Sequence, residues 1–133
     1  KTISIKKFDN IRIGNAQNTS AGTGCTVIIS ENGMCAGLDV RGGGPASRES
    51  ELLKPLAAAD RIHAVLLGGG SAFGLDAAGG VMQFLEEKES GSMSAREVPL
   101  VCQSDIFDLT VADPYTRPDK AMGYEACVGA WQN

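Results

Sequence analysis

The chain has 133 residues, a hydrophobic fraction of 43% and a formal net charge of −4, about one domain's worth with enough apolar content to bury a core. Acidic and basic residues are interspersed, so no concentrated basic face is available to a nucleic-acid backbone. The longest apolar runs, such as 64–67, stop far short of the roughly 20 residues of a membrane span, so neither nucleic acid nor membrane is expected as a partner.

The opening residues alternate polar and apolar (Thr2, Ile3, Ser4, Ile5) without the apolar stretch of a secretory signal. The absence of a methionine before Lys1 is read as trimming. Residues 11–14 form a short β-like piece, followed by a polar turn over 15–20. Residues 25–30 are β-branched and short enough for a buried strand. Asn32-Gly33 then suits a two-residue hairpin turn, because that pair tolerates positive φ. Residues 34–40 are the expected partner strand, broken by the glycines and proline of 41–45. Pro55 divides 50–59 into two short turns, and 61–67 is a second buried-strand candidate. The strongest helix is predicted over 74–88, with Leu75, Ala78, Val81, Met82 and Leu85 on one face. Gly79-Gly80 weakens that helix unless another backbone packs closely there. A polar loop is expected over 90–97 and a short strand over 98–102. A last helix starts near Lys120, capped by Asp119. Strands and helices alternate without a repeat or linker, which predicts a single α/β or α+β domain over 1–133.

Cys25, Cys35, Cys102 and Cys127 are far apart and His63 is the sole histidine. No metal-ligand spacing exists, and reduced, mostly buried thiols of a cytoplasmic protein are the plainer reading. Glycines cluster instead of spreading, most tellingly at Gly68-Gly69-Gly70-Ser71 between a strand and a helix. Such a loop can offer amides to an anion or a polarised carbonyl. A dinucleotide fingerprint and a serine nucleophile elbow both fail at Phe73, and a P-loop fails at Leu75. Ser71 lacks a base and is read as a helix cap or substrate contact. Asp39 and Arg41 are either a structural ion pair at a strand end or solvated charges.

The order of blocks is more specific than any one of them. GTGCTVI at 22–28, GLDVRGG at 37–43 and GGGSAFGLD at 68–76 come first. VPLV at 98–101, IFDL at 106–109 and RPDKAMGY at 117–124 follow. Together they resemble the self-processing N-terminal nucleophile aminopeptidases, which include D-aminopeptidases, β-aminopeptidases and nylon-oligomer hydrolases. That resemblance implies a four-layer αββα sandwich made as one precursor that cuts its own backbone. The cut frees an N-terminal Ser or Thr whose α-amino group is the general base. It implies short peptide, amino-acid amide or ester substrates, no metal and no organic cofactor.

In relatives the nucleophile starts the second subunit, downstream of the 117–124 block. No residue here matches it, so the resemblance implies an α-type portion with no catalytic residue in this chain, inactive alone. Asn133 is read as the end of a fragment or linker, not as the residue before the cut. The expected substrate-binding residues are Gly69, Gly70, Ser71, Gln103, Asp105 and Phe107. Some relatives have a tyrosine at the position of Phe107, whose hydroxyl is lost here. Asp105 is the nearest carboxylate for a substrate ammonium, or else a turn carboxylate. The expected partners are the nucleophile-bearing C-terminal portion (β subunit) of the same precursor, a small peptide or amide, and further copies in a homo-oligomer. Two alternatives stand beside this: a small α/β binding module holding an anion at 68–74, and a catalytically degenerate structural homologue. Unpaired sheet edges lead to the expectation that 1–133 alone aggregates or oligomerises.

Overall fold

The computed structural model describes residues 1–88 and 97–132. Five strands, β1 (Arg12–Asn18), β2 (Thr23–Met34), β3 (Ser47–Arg48), β4 (Ile62–Gly68) and β5 (Val101–Asp105), make one sheet in the order β1-β2-β4-β5-β3. Only β4 and β5 run parallel, and α1 (Ala77–Lys88) lies between them in the chain. The remaining pairs are antiparallel. The protein is therefore α+β, with a mixed sheet and a second helix, α2 (Lys120–Gln132).

Alternation decides which side of the sheet is covered. Cys25, Val27 and Ile29 of β2 and Ile62, Ala64 and Leu66 of β4 are buried. All of these but Ile62 join Val81 and Leu85 of α1 and Ala126, Cys127 and Ala130 of α2 in one core. The opposite residues point away from both helices. Ile13, Ile28 and Val65 fall in register across β1, β2 and β4 and are half-buried, while Leu67 is 47% exposed. No helix among the described residues is long and apolar enough to cross a membrane.

The two helices meet backbone to backbone. A Cβ at Gly80 would meet the Lys120 carbonyl, with the Tyr124 amide nitrogen 2.8 Å away, and a Cβ at Gly123 would meet the Ala77 carbonyl. The close approach anticipated at Gly79-Gly80 is thus made by α2. Asp119 caps that helix as expected, accepting the Met122 N–H at 2.9 Å.

Several expectations are corrected. Strand β1 runs on through Asn18, so the turn anticipated over 15–20 starts later. Asn32-Gly33 is no hairpin turn: β2 continues through it to Met34, with an irregularity between Ile29 and Met34. Both edges of β2 are already taken by β1 and β4, so 34–40 has nowhere to pair on it. The helix expected over 74–88 begins as a 3-10 turn at Ser71–Asp76 and becomes α-helical only at Ala77. Gly70, left-handed at φ 82°, occupies the cap position, and Ser71 provides no side-chain cap. The strand expected over 98–102 lies at Val101–Asp105. Asp39 and Arg41 do pair, at 2.8 Å, but fully out in solvent. The polar loop anticipated over 90–97 falls, apart from Glu97, outside the described residues.

Gly80→Ala separates helix propensity from packing. Propensity alone would stabilise α1 by up to ~1 kcal/mol. The forced separation from α2 is instead expected to cost about 1–3 kcal/mol, read as a lower denaturant midpoint. Gly43→Ala, which meets nothing within 4 Å, is expected to leave the midpoint nearly unchanged.

Candidate functional site

At the carboxyl ends of β4 and β5 the sheet opens into a cleft of about 790 Å³. Its walls include Gln17, Thr23, Leu67, Gly69, Asp105 and Asp108. The ends of parallel strands are where an α/β sheet leaves room between diverging loops. Here two carboxylates and a glycine loop fill that place.

The loop is fixed from both sides. Asp108 accepts the Gly70 N–H at 2.7 Å with one oxygen and the Thr23 hydroxyl at 2.7 Å with the other. The Gly69 N–H donates to the Gly24 carbonyl at 3.0 Å, and the Ser71 N–H to the Ile106 carbonyl at 3.0 Å. Glycine is required because the carboxylates come so near. A Cβ at Gly69 would run into Asp108 and the Thr23 hydroxyl, and one at Gly68 would sit 2.7 Å from Asp105 Oδ1. These amides are satisfied within the chain, and carboxylates already flank them. The Gly69, Gly70 and Ser71 amides are therefore not free for an anion from outside.

Beneath the cleft, Gln103 is 2% exposed. Its Nε2 donates to Asp105 Oδ1 at 2.8 Å and to the Gly74 carbonyl at 2.7 Å, and its Oε1 accepts the Ala78 N–H at 3.2 Å. That last bond satisfies an otherwise orphaned donor in the first turn of α1. Gln103 thus lies under the cleft floor, holding Asp105 rather than facing a ligand. The second oxygen of Asp105, Oδ2, is excluded from solvent and has no hydrogen-bond partner among the described residues. Burial pushes the Asp105 carboxyl up to about 6; the Gln103 bond pulls it back down and the Asp108 charge adds to the rise.

The other expected site residues divide. Gly69 and Gly70 are buried in the loop, and Asp105 lines the cleft. Ser71 is half-buried behind the loop, and Phe107 is 67% exposed; neither belongs to the cleft wall. Sequence reasoning missed Thr23 and Asp108, which are 85 positions apart. Their only trace was their presence in the 22–28 and 106–109 blocks. Cys25 also lines the cleft, but burial, aided by the nearby Asp105 charge, pushes its thiol up to about 11, which makes it a poor nucleophile. No metal-binding cluster of His, Cys, Asp or Glu occurs among the described residues. What the cleft offers chemically is a carboxyl group lacking a counter-charge.

Residues 4–130 match peptidase family S58. An uncharacterized aminopeptidase of Mycobacterium leprae is 42% identical over 96% of this chain and 38% of its own length. One from Mycobacterium tuberculosis is 41% identical over 96% of this chain and 40% of its own length. A 6-aminohexanoate-oligomer endohydrolase of Paenarthrobacter ureafaciens is 32% identical over 90% of this chain and 31% of its own. The chain therefore spans well under half the length of each of these relatives.

Asp105 gives stability a pH dependence of definite sign. Its folded pKa lies near 6 against an ordinary 3.8, so folding favours the protonated carboxyl. That contribution is complete below about pH 4 and is lost as pH rises through about 6. The melting temperature is expected to fall across that window. Asp105→Asn should flatten the fall, and an unchanged slope in the variant would contradict the assignment.

Proposed function

The chain belongs to peptidase family S58, and we propose that it is the α-type portion of a self-processing amide hydrolase. In this reading the enzyme releases residues from the amino-terminal end of short peptides or amino-acid amides. The chain contributes cleft wall, and the nucleophilic Ser or Thr comes from a C-terminal portion of the same precursor. The observation that carries the reading is Asp105, which lines the cleft at the strand ends with a carboxyl whose buried Oδ2 lacks a partner among the described residues. A substrate ammonium in the cleft would supply the missing counter-charge to this carboxyl, a charge-assisted contact that fixes the amino end. The amide to be cut would then lie a bond or two away, where a nucleophile has to be placed.

The division of labour follows from what lines the cleft. The Thr23 hydroxyl is committed to Asp108 and the Cys25 thiol is held protonated, so neither is an activated nucleophile. A newly freed N-terminal Ser or Thr has its base built in, because its own α-amino group takes the hydroxyl proton. It needs from this chain only a substrate held still. The sheet face with Ile28, Val65 and Leu67 is suited to a second sheet, the inner contact of a four-layer αββα sandwich.

The full-length gene product is expected to give two polypeptides by intact mass spectrometry, the second beginning with Ser or Thr. It is expected to cleave an amino-acid p-nitroanilide and to spare the N-acetylated analogue. Asp105→Asn should raise KM by roughly ten-fold or more with a smaller change in kcat. Equal hydrolysis of the acetylated substrate would refute the ammonium site. A single uncut, inactive chain would make the protein a degenerate homologue.

A further inference from the structure

The cleft crosses the sheet. Asn15 of β1, Thr26 of β2, Leu67 of β4 and Ser104 of β5 are successive partners in one register row, and all four line it. Three strand spacings of about 4.8 Å separate the first from the last, roughly 14 Å across the strands. Asp105, next to Ser104, therefore stands at one end of the cleft and β1 at the other. A single amino-acid amide held by its ammonium at Asp105 leaves most of that span unoccupied. An extended chain advances up to about 3.5 Å per residue, so about four residues cover it.

The far end is furnished for a peptide backbone. Asn15 and Gln17 alternate with the buried Gly14 and Ala16, so both project from the face away from the helices, and both line the cleft. The Thr26 hydroxyl donates to Asn15 Oδ1 at 2.6 Å. That bond occupies the amide oxygen and turns Nδ2 to the other side, a donor with no partner among the described residues. Side-chain amides offer a donor and an acceptor without charge, the complement of a peptide C=O and N–H. The neighbouring row on the same face, Ile13, Ile28 and Val65, is apolar, so the hydrogen-bonding side chains begin where the cleft does.

We propose that the cleft is a track for an extended, uncharged amide chain of about four residues. Its amino end lies at Asp105, and a carbonyl near the far end accepts from Asn15 Nδ2. The substrate class is then an oligoamide, for which a single amino-acid amide is a truncated substitute. The direction of the chain rests on the reading of Asp105 as the ammonium site.

Binding of uncleavable peptides to the full-length protein tests the track. Uncharged peptide amides with a ketomethylene group in place of the first amide bond keep the ammonium and resist hydrolysis. By calorimetry, Kd is expected to fall about ten-fold from two residues to four and to change little at six. Equal values at two and four residues, or no binding of either, would overturn the proposal. Asn15→Ala is expected to remove most of the four-residue gain. Asn15→Asp, which keeps an acceptor for Thr26 and loses the donor, is expected to do the same. Retention of the full gain in both variants would overturn the role of Asn15. Hydrolysis of an amino-acid p-nitroanilide reads the enzyme separately. No hydrolysis with the gain intact would refute the hydrolase reading and leave the track standing, and hydrolysis without the gain would do the reverse.

Discussion

The cleft depends on one carboxylate. Asp108 holds the Gly70 amide with one oxygen and the Thr23 hydroxyl with the other. It thereby ties the loop after β4 to the start of β2 and to the segment after β5. Charge-assisted bonds of this kind are roughly twice as strong as neutral ones, and losing this one would leave the Gly70 amide, the Thr23 hydroxyl and their neighbours to rearrange together. The rest follows from that anchor. Gly69 has to be glycine for Asp108 to reach the loop, the left-handed Gly70 turns the chain into the 3-10 turn, and Gln103 receives the helix that follows.

The same arrangement explains why Asp105 and Asp108, three residues apart, behave so differently. Both oxygens of Asp108 accept hydrogen bonds. Asp105 shares Gln103 through one oxygen and leaves the other sealed and unpartnered. A protein ordinarily neutralises such a group or supplies a partner. Burial raises the Asp105 carboxyl pKa to about 6, which penalises its charge without abolishing it at neutral pH. The carboxyl as a whole lines the cleft, so an amine arriving from solvent is the alternative source of counter-charge.

How much of this was legible in the sequence depended on the range of the interaction. Alternation over 25–30 and 61–67 marks the two central strands, because burial of one face imposes a period of two wherever the partners lie. Asp119 is readable as a cap because capping spans three residues. The hairpin at Asn32-Gly33 misleads because turn chemistry is local, whereas pairing depends on which edges remain free, and β4 takes the second edge of β2 from thirty residues away. Ser71 misleads in the same manner: Gly70 takes the cap position, and Gln103, from β5, satisfies the start of α1. In the site, Gly69 and Gly70 were readable as members of a motif block, and Asp105 as the carboxylate just before the 106–109 block. Their mutual contacts were not, nor was the clamp between Thr23 and Asp108, since neither residue type in isolation specifies a partner 85 positions away.

Helices cover one face of the sheet, and a half-buried apolar row lines the other. The central claim is that Asp105 receives a substrate ammonium. Its most direct measurement is an NMR titration of the Asp105 carboxyl carbon in the full-length protein, alone and with a saturating amino-acid amide. The free carboxyl should titrate near 6 and drop well below that value when the amide binds, with no drop for the N-acetyl analogue. A titration that does not move with the free amine would contradict the account.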